Sequence, residues 1–255
     1  MGSDKLERLR EQLKALRLGK IRDIFEEEAE KAIKTKLGYI GYLAKLIEEE
    51  TLSQTDRSIN RKIQTAKFPW LKTIEEFDFS YQPSIDEERI RKLTDLSFID
   101  RKENVLLLGP PGVGKSHLAI SLAIKACVTR YRVLFQHASD LVGYLYASLV
   151  DNTTARKLDA LSRLQLLVID ELGYLPIEPK RANLFFQLVS KRYEQGSIIL
   201  TSNRSFDEWG TTFGDEVIAA AIIDRLVHHS HIFNITGRSY RVKDKLDGNQ
   251  DQKSS

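Results

Sequence analysis

The sequence predicts an α/β fold, a parallel sheet with helices on both faces, preceded by a small all-helical domain. Three observations lead to this prediction. The 255 residues are 42% hydrophobic and 29% charged, which is ample for a packed core. From about residue 85 onward, continuous apolar runs alternate with helical patterns, as in a parallel sheet covered on both faces. Before that, residues 4 to about 66 carry apolar positions at helical spacing throughout.

The N-terminal region carries three apolar stripes. Leucines recur from Leu6 to Leu16 every three or four residues, which places them on one face of a helix. Gly19 interrupts the first stripe and Gly38 the second, and a further apolar face follows each glycine. We predict an all-helical domain over residues 1–66 in which the stripes bury one another as a small bundle. A free coiled coil is the alternative.

A basic and aromatic linker is predicted over residues 67–84. It contains FPWLKTIEEFDFSYQP, in which Pro69 and Pro83 favour extended backbone. The chain has no acidic residue between Asp56 and Glu75. The same stretch holds five basic residues, Arg57, Arg61, Lys62, Lys67 and Lys72. This excess of positive charge is local, since the net charge of the whole chain is only +3. A solvated helix face or a docking surface for a partner protein would produce the same pattern.

The larger region, predicted over residues 85–245, contains five apolar runs that we interpret as strands. They are VLLLG, RVLFQ, LQLLVID, SIILTSN and HIFNIT, and helices are expected between them from about residues 115, 139, 180 and 215. Ligands of such sheets bind beyond the carboxyl ends of the strands, so the residues directly after these runs are the informative ones. The final residues, 246–255, are predicted to form a disordered tail.

A phosphate-binding motif follows the first strand. Residues 109–116, GPPGVGKS, match G-x-x-x-x-G-K-[ST] between a predicted strand and a predicted helix. Glycines let backbone N–H groups turn toward phosphate oxygens, and the helix N-terminus adds partial positive charge. We expect Lys115 to reach the β and γ phosphates of ATP and Ser116 to ligate Mg²⁺. The predicted nucleotide-binding set is Gly109, Pro110, Pro111, Gly112, Val113, Gly114, Lys115, Ser116 and His117.

Two other strands end in polar residues suited to hydrolysis. Asp170 ends LLVID and is expected to hold Mg²⁺ with Ser116, while Glu171 activates water against the γ phosphate. Asn203 follows ILTS, and we expect its strand between the other two and its side chain near the attacking water. A carboxylate pair can instead cap a turn, and asparagine is a common turn former.

The order of these motifs resembles the AAA+ P-loop ATPases, within them the DnaA/DnaC clade, and most closely the IstB-type transposition helper ATPases. The passage from Arg57 through FPWLKT to FDF is typical of the IstB type, as are GYLP after the acidic pair and SYR at 239–241. The resemblance implies that Arg225 is an arginine finger for a neighbouring subunit, although a surface pair with Asp224 is an alternative. It also implies a helical insertion at residues 144–163 and a sensor arginine, for which Arg238 or Arg241 is available.

The function implied by the resemblance is that of an ATP- and Mg²⁺-dependent ATPase. Such a protein would form an ATP-dependent homo-oligomer on duplex DNA, remodel that DNA, and recruit or stimulate a cognate transposase. A DnaC-type replicative helicase loader is the alternative, and a small-molecule kinase is a third class. DNA contacts are expected from the linker cations and from basic residues near the insertion, namely Arg57, Arg61, Lys62, Lys67, Lys72, Arg156, Lys157 and Arg163.

Other sequence features exclude several classes of protein. With only Cys127, neither an intrachain disulfide nor a cysteine-based zinc site is possible. No apolar stretch approaches the length of a transmembrane helix and no signal peptide precedes the charged N-terminus, so we expect a cytoplasmic protein without membrane contact. His228 and His229 are adjacent on a predicted helix, where neighbouring side chains point apart, so a solvated helix end is expected there.

Overall fold

A computed structural model describes residues 2–240, with side chains from residue 4 onward. The predicted tail at 246–255 and Arg241 lie outside the described residues. The chain divides into two compact units, one ending at Arg61 and the other beginning at Lys62. The division falls inside a helix, a few residues before the predicted linker.

The N-terminal unit is helical, as predicted. Its helices are α1 (Gly2–Ala15), α2 (Gly19–Lys34) and the first part of α3 (Tyr39–Ala66). Gly19 begins α2 and Gly38 directly precedes α3, so both glycines mark the breaks expected from them. Ile21, Phe25 and Leu46 form a buried core between α2 and α3, and Leu13 of α1 packs against it. These contacts describe a bundle and not a free coiled coil.

The larger unit is built on a five-stranded parallel sheet. Its strands are β1 (Asn104–Leu108), β2 (Val133–His137), β3 (Leu166–Leu172), β4 (Ser197–Ser202) and β5 (Ser230–Asn234). Their order across the sheet is β2-β3-β4-β1-β5, and every neighbouring pair is parallel. The strand that carries Asn203 at its end therefore lies between the P-loop strand and the Asp170 strand, as expected. Parallel order brings all three carboxyl ends to one edge of the sheet.

Helices cover both faces of this sheet. They are α4 (Glu87–Lys92), α5 (Ser97–Asp100), α6 (Lys115–Val128), α7 (Ala138–Ala147), α8 (Thr154–Ser162), α9 (Pro179–Arg192), α10 (Trp209–Phe213) and α11 (Glu216–Val227). Alternation along β1 sends Val105 and Leu107 into the core with α4, α5 and α6, whereas Leu106 enters the core with α7 to α11. Among the described residues, no helix is long and apolar enough to cross a membrane.

The predicted insertion at residues 144–163 consists of the end of α7, a turn and α8. A buried arginine fixes the end of α8 to the sheet. The Arg192 guanidinium donates hydrogen bonds to the carbonyl oxygens of Leu161 (2.5 Å), Leu164 (3.0 Å) and Ser197 (2.7 Å). Because Leu161 and Leu164 flank the end of α8 and Ser197 begins β4, one side chain joins the insertion to a central strand.

Candidate nucleotide-binding site

The loop of residues 109–114 connects β1 to α6 in a conformation that requires glycine. Gly109 has a φ of 146°, and a Cβ there would lie 2.0 Å from the carbonyl oxygen of Ile235. Gly114 has a φ of 96°, and its Cβ would lie 2.5 Å from the Phe77 ring. Side chains at these positions would be both strained and sterically blocked. The loop therefore packs tightly against its surroundings directly before α6 begins.

Lys115 is held inside the loop. Its side chain is almost completely buried, and Nζ donates hydrogen bonds to the carbonyl oxygens of Gly109 and Pro110, both at 2.7 Å. Lys115 is also the first residue of α6, so its ammonium group adds to the partial positive charge of a helix N-terminus. This arrangement concentrates positive potential where the motif predicts phosphate groups.

A buried carboxylate joins three elements at the carboxyl edge of the sheet. Asp170 Oδ1 accepts hydrogen bonds from Ser116 Oγ (2.8 Å) and from Thr201 Oγ1 (2.5 Å). Thr201 Oγ1 in turn accepts a hydrogen bond from the backbone N–H of Glu171 (2.9 Å). Asp170 is only 3% exposed. Thr201 was not predicted, although it lies in the strand tip ILTSN that directed attention to Asn203.

These residues fit a bound Mg²⁺ ion. The donor set at Ser116 and Asp170 consists of a hydroxyl and a carboxylate oxygen, and Mg²⁺ prefers such hard oxygen ligands over nitrogen or sulfur. Ser116 directly follows Lys115 and both line the cleft, where phosphate oxygens would complete the coordination shell. Ser116 and Asp170 are therefore the residues that would hold the ion, as the sequence predicts.

Glu171 leaves the strand in an unusual backbone conformation. Its φ is 63°, and the pairing of β3 with β4 shifts register between Ile169 and Leu172. A non-glycine residue in the left-handed region costs about 1 kcal/mol or more and is common at functional sites. The irregularity separates Glu171 from the buried Asp170, and its side chain, 40% exposed, lines the cleft.

His137 is a site residue that the sequence did not single out. It ends β2 in register with Asp170, and its Nδ1 lies 3.5 Å from Glu171 Oε2 and 3.8 Å from Asp170 Oδ2. The rule that directs attention to strand ends would have found it, because His137 directly follows the predicted second strand, RVLFQ. His137 therefore lies next to Glu171, the candidate water-activating residue.

Asn203 directly follows β4 and is not among the described residues that line the cleft. Its Oδ1 is buried, faces Gly173, and accepts no hydrogen bond within the described part of the chain. Its expected role near the attacking water stays a prediction.

The cleft itself has a volume of about 330 Å³ and is lined in part by two aromatic side chains of the linker, Trp70 and Phe77. His117 follows the P-loop serine and binds the linker, since its Nε2 lies 2.8 Å from the carbonyl oxygen of Thr73. Its ring packs edge-on against Trp70 and Phe77, with centroids 5.8 and 5.2 Å away. Burial lowers the pKa of His117 below its ordinary value. Lys72 also lines this cleft, so one of the predicted DNA contacts faces the nucleotide site.

A segment after β5 packs over the loop and linker. The Tyr240 N–H donates to the carbonyl oxygen of Gly112 (2.8 Å), and the Tyr240 hydroxyl donates to the carbonyl oxygen of Asp78. Gln82 Nε2 donates to the carbonyl oxygen of Arg238 (2.7 Å). Burial raises the pKa of Tyr240 to about 12. The Arg238 side chain is exposed, so its role as a sensor arginine stays a prediction.

Arg225 lies far from this cleft. It is half-buried in the last turn of α11, where Nη1 donates to the carbonyl oxygen of Ala221 (3.0 Å) and the guanidinium lies 4.8 Å from the Phe186 ring centroid. It shares a small cavity with Asn104, the first residue of β1. Since the P-loop follows the other end of β1, roughly 15 Å of strand separates the two. The Arg225 guanidinium therefore does not reach the nucleotide cleft of its own chain.

Several predicted DNA-binding cations make contacts within their own unit. Arg57 lies 3.7 Å from the buried carboxylate of Glu50, and Lys62 donates to the carbonyl oxygen of Arg130. Lys157 lies 4.3 Å from the Tyr144 ring centroid and 4.0 Å from Asp151. The other predicted DNA-binding cations that lie outside the cleft have exposed side chains, and they are Arg61, Lys67, Arg156 and Arg163.

The expectation for His228 and His229 is met in part: both are exposed at the end of α11, as expected, but their side chains do not point apart. Helix α11 ends at Val227, so the two residues lie where the chain turns toward β5 and not on a continuing helix. The turn brings the rings together, with centroids 4.2 Å apart, instead of pointing them away from each other.

The fold and the site together define the class of protein. A parallel sheet of order β2-β3-β4-β1-β5, a P-loop after β1 and an acidic pair at the end of β3 are the features of an AAA+ P-loop domain. Residues 11–248 match the family of IstB-like ATP binding proteins, and the chain belongs to that family.

Similar proteins agree with this assignment. An ATP-binding protein of insertion sequence IS21 from Pseudomonas aeruginosa is 47% identical over 220 residues, covering 86% of this chain and 83% of its own. One of insertion sequence IS5376 from Geobacillus stearothermophilus is 46% identical over 239 residues, covering 94% and 95%. The crystal structure of the DnaC helicase loader has a TM-score of 0.51 at 18% identity, covering 58% of this chain and 86% of that one. The last similarity concerns the fold alone.

Proposed function

We propose that this protein is a Mg²⁺-dependent ATPase that assembles on duplex DNA in the presence of ATP, remodels it and delivers it to a cognate transposase. The observation that carries the ATPase part is the cluster in which Asp170 accepts hydrogen bonds from Ser116 and Thr201 while Glu171 projects into the cleft. One carboxylate is buried among hydroxyls and the other faces solvent, so the two can perform different tasks.

In the proposed reaction, the P-loop amides and Lys115 hold the β and γ phosphates of ATP. Ser116 and Asp170 would hold Mg²⁺, which supplies positive charge to neutralise the phosphates when bound. Glu171 accepts the proton of the water that attacks the γ phosphorus, and Asn203 orients that water. His137 contacts the Glu171 carboxylate from the neighbouring strand and restricts its orientation.

The part of the proposal that concerns assembly into oligomers rests on Arg225. An arginine at the opposite edge of the sheet cannot stabilise charge on its own nucleotide, but it can meet the cleft of a neighbouring subunit. The guanidinium suits this role because it is always charged and can form two parallel hydrogen bonds to phosphate oxygens. This placement supports a homo-oligomer in which nucleotide joins neighbouring subunits.

DNA and a transposase are supported by the family and by surface charge. The relatives named above belong to insertion sequences, so a role in transposition is the natural one for this chain. Arg61, Lys67, Arg156 and Arg163 offer exposed cations to a phosphate backbone. We place the protein in the cytoplasm, where a buried cysteine such as Cys127 stays reduced.

The ATPase proposal is tested by Glu171→Gln. Loss of the proton acceptor should lower the hydrolysis rate about 100-fold or more, while ATP binding is retained. Glu178→Gln is the matched control, because Glu178 is exposed at the start of α9 and lies outside the cleft. Hydrolysis by Glu171→Gln at the wild-type rate would show that another group activates the water.

The assembly proposal is tested by mixing two inactive variants. Arg225→Ala retains a complete P-loop and Lys115→Ala retains the arginine, so mixed oligomers should contain some complete sites and recover activity. Mixing Lys115→Ala with the double variant Lys115→Ala/Arg225→Ala is the control, because no site can then be complete. If mixed oligomers form without any recovery, Arg225 does not act on a neighbour.

The helicase-loader alternative is distinguished from the transposition proposal by whether the protein assembles on duplex DNA or binds a replicative helicase. Electron microscopy with duplex DNA and ATP should show rings or filaments on the DNA. Stable capture of a replicative helicase, with no assembly on duplex DNA, would instead favour a loader.

A further inference from the structure

We propose that Glu194, His228 and His229 form a binding site for a divalent transition metal of the Zn²⁺ class. One potential ligand atom of each residue lies within 4.8 Å of those of the other two. His229 Nε2 lies 3.8 Å from Glu194 Oε1, and the two histidine rings are 4.2 Å apart between centroids. The site lies at the end of the sheet opposite the nucleotide cleft and does not depend on the proposed ATPase.

The three side chains are a suitable ligand set for Zn²⁺. Two imidazoles and one carboxylate are the protein ligands of several open zinc sites, in which water or another donor occupies the fourth position. Zn–N and Zn–O bonds of about 2.0–2.2 Å require the ligand atoms to approach by only a small side-chain adjustment. All three residues are exposed, so a metal ion can enter from solvent.

The backbone that carries the ligands is fixed. Asn104, at the start of β1, donates its N–H to the carbonyl oxygen of His229 (2.8 Å) and its Nδ2 to that of Leu226 (3.0 Å). These bonds hold both sides of the turn that carries the two histidines. Glu194 follows α9 at a φ of 57°, and α9 packs against α11. The ligands therefore come from two helix ends that the core positions next to each other.

One of the histidines also has an orienting partner. His228 Nδ1 lies 2.9 Å from the Tyr193 hydroxyl. A hydrogen bond of this kind fixes the orientation of a ligating imidazole, and loss of such a partner typically weakens metal binding about 10- to 100-fold. Tyr193 is thus expected to be a positioning residue.

The test is a titration of tag-free protein with Zn²⁺ against a chromogenic chelator, in millimolar Mg²⁺ and without nucleotide. We expect one equivalent bound at this site, and this binding should be insensitive to Mg²⁺, because Mg²⁺ binds imidazole nitrogen poorly. Glu194→Gln and His228→Ala should each abolish it, and Tyr193→Phe should weaken it about tenfold or more. His231→Ala is the matched control, because its Nε2 is engaged 2.9 Å from Glu103 outside the cluster.

Zn²⁺ binding at a second cluster must be distinguished from binding at Glu194, His228 and His229 in this experiment. His137 lies beside Asp170 and Glu171 in the nucleotide cleft, and these three side chains could also take up Zn²⁺. The equivalent assigned here should persist in His137→Ala. The proposal is overturned if wild-type protein binds no Zn²⁺, if His137→Ala alone removes all binding, or if the binding that remains in His137→Ala survives the further substitutions His228→Ala and His229→Ala. Circular dichroism of the metal-free variants checks that each is folded.

Discussion

The nucleotide cleft and the basic surface residues differ in how their charged groups are held. In the cleft, Lys115 and Asp170 are buried and bonded to groups of neighbouring elements. Among the predicted DNA contacts, Arg57 and Lys157 are instead close to acidic or aromatic groups of their own unit. A charge whose position is set by a backbone motif can be assigned a role from sequence. A charge that merely belongs to a basic run cannot be assigned a role in this way, because its side chain can instead interact with another group of the same chain.

The largest effect that sharpens this comparison is expected for Lys115→Ala. Removal of the cation that would contact two phosphates should weaken ATP binding about 100-fold, in keeping with the strength of hydrogen bonds to charged groups. Lys125→Ala, an exposed position on the same helix, should leave the affinity unchanged. Equilibrium titration with a fluorescent ATP analogue measures both. If both variants bound ATP with the same affinity, the charge of Lys115 in the P-loop would matter no more than that of an exposed lysine on the same helix.

An intermediate effect is expected for Thr201→Val. Valine preserves the shape of this buried side chain but cannot donate to Asp170 or accept the Glu171 N–H, so the free energy of unfolding should fall by about 1–2 kcal/mol. Thr201→Ser keeps the hydroxyl and should recover most of the loss. Chemical denaturation measures the difference. If valine and serine had the same effect, the hydroxyl would not hold the two carboxylate residues in place.

The smallest effect concerns the basic run. Arg61→Ala/Lys62→Ala should flatten the plot of log affinity for duplex DNA against log salt concentration by up to about 1.8, from two lost phosphate contacts at about 0.9 each. Arg57→Ala should change this slope much less, because the Glu50 carboxylate offsets the charge of Arg57, whereas the partner of Lys62 is an uncharged carbonyl oxygen. Binding assays at several salt concentrations and saturating ATP provide the slopes. An unchanged slope in the double variant would favour a solvated helix face or a docking surface for a protein.

The sequence predicted the elements whose signals are local. The P-loop and the acidic pair follow from short motifs next to apolar runs, and the structure brings Lys115, Ser116, Asp170 and Glu171 together. It also confirms the expected position of the Asn203 strand between the P-loop strand and the Asp170 strand. What was missed depends on distant contacts. Tyr240 meets Asp78 across 162 positions of sequence, and His137 meets Glu171 only through strand register. The side chains of His228 and His229 were expected to point apart and do not, because α11 ends before them and the last turn of a helix is difficult to locate from sequence.

The position of Trp70 has a practical optical consequence. The chain contains two tryptophans, and they lie in opposite environments, since Trp70 is 37% exposed at the cleft whereas Trp209 is completely buried beside Phe213. Emission from Trp209 should be constant and shielded from aqueous quenchers such as iodide. Emission from Trp70 should respond to both iodide and nucleotide. The protein therefore carries its own fluorescent reporter of cleft occupancy, with an internal reference in the same spectrum.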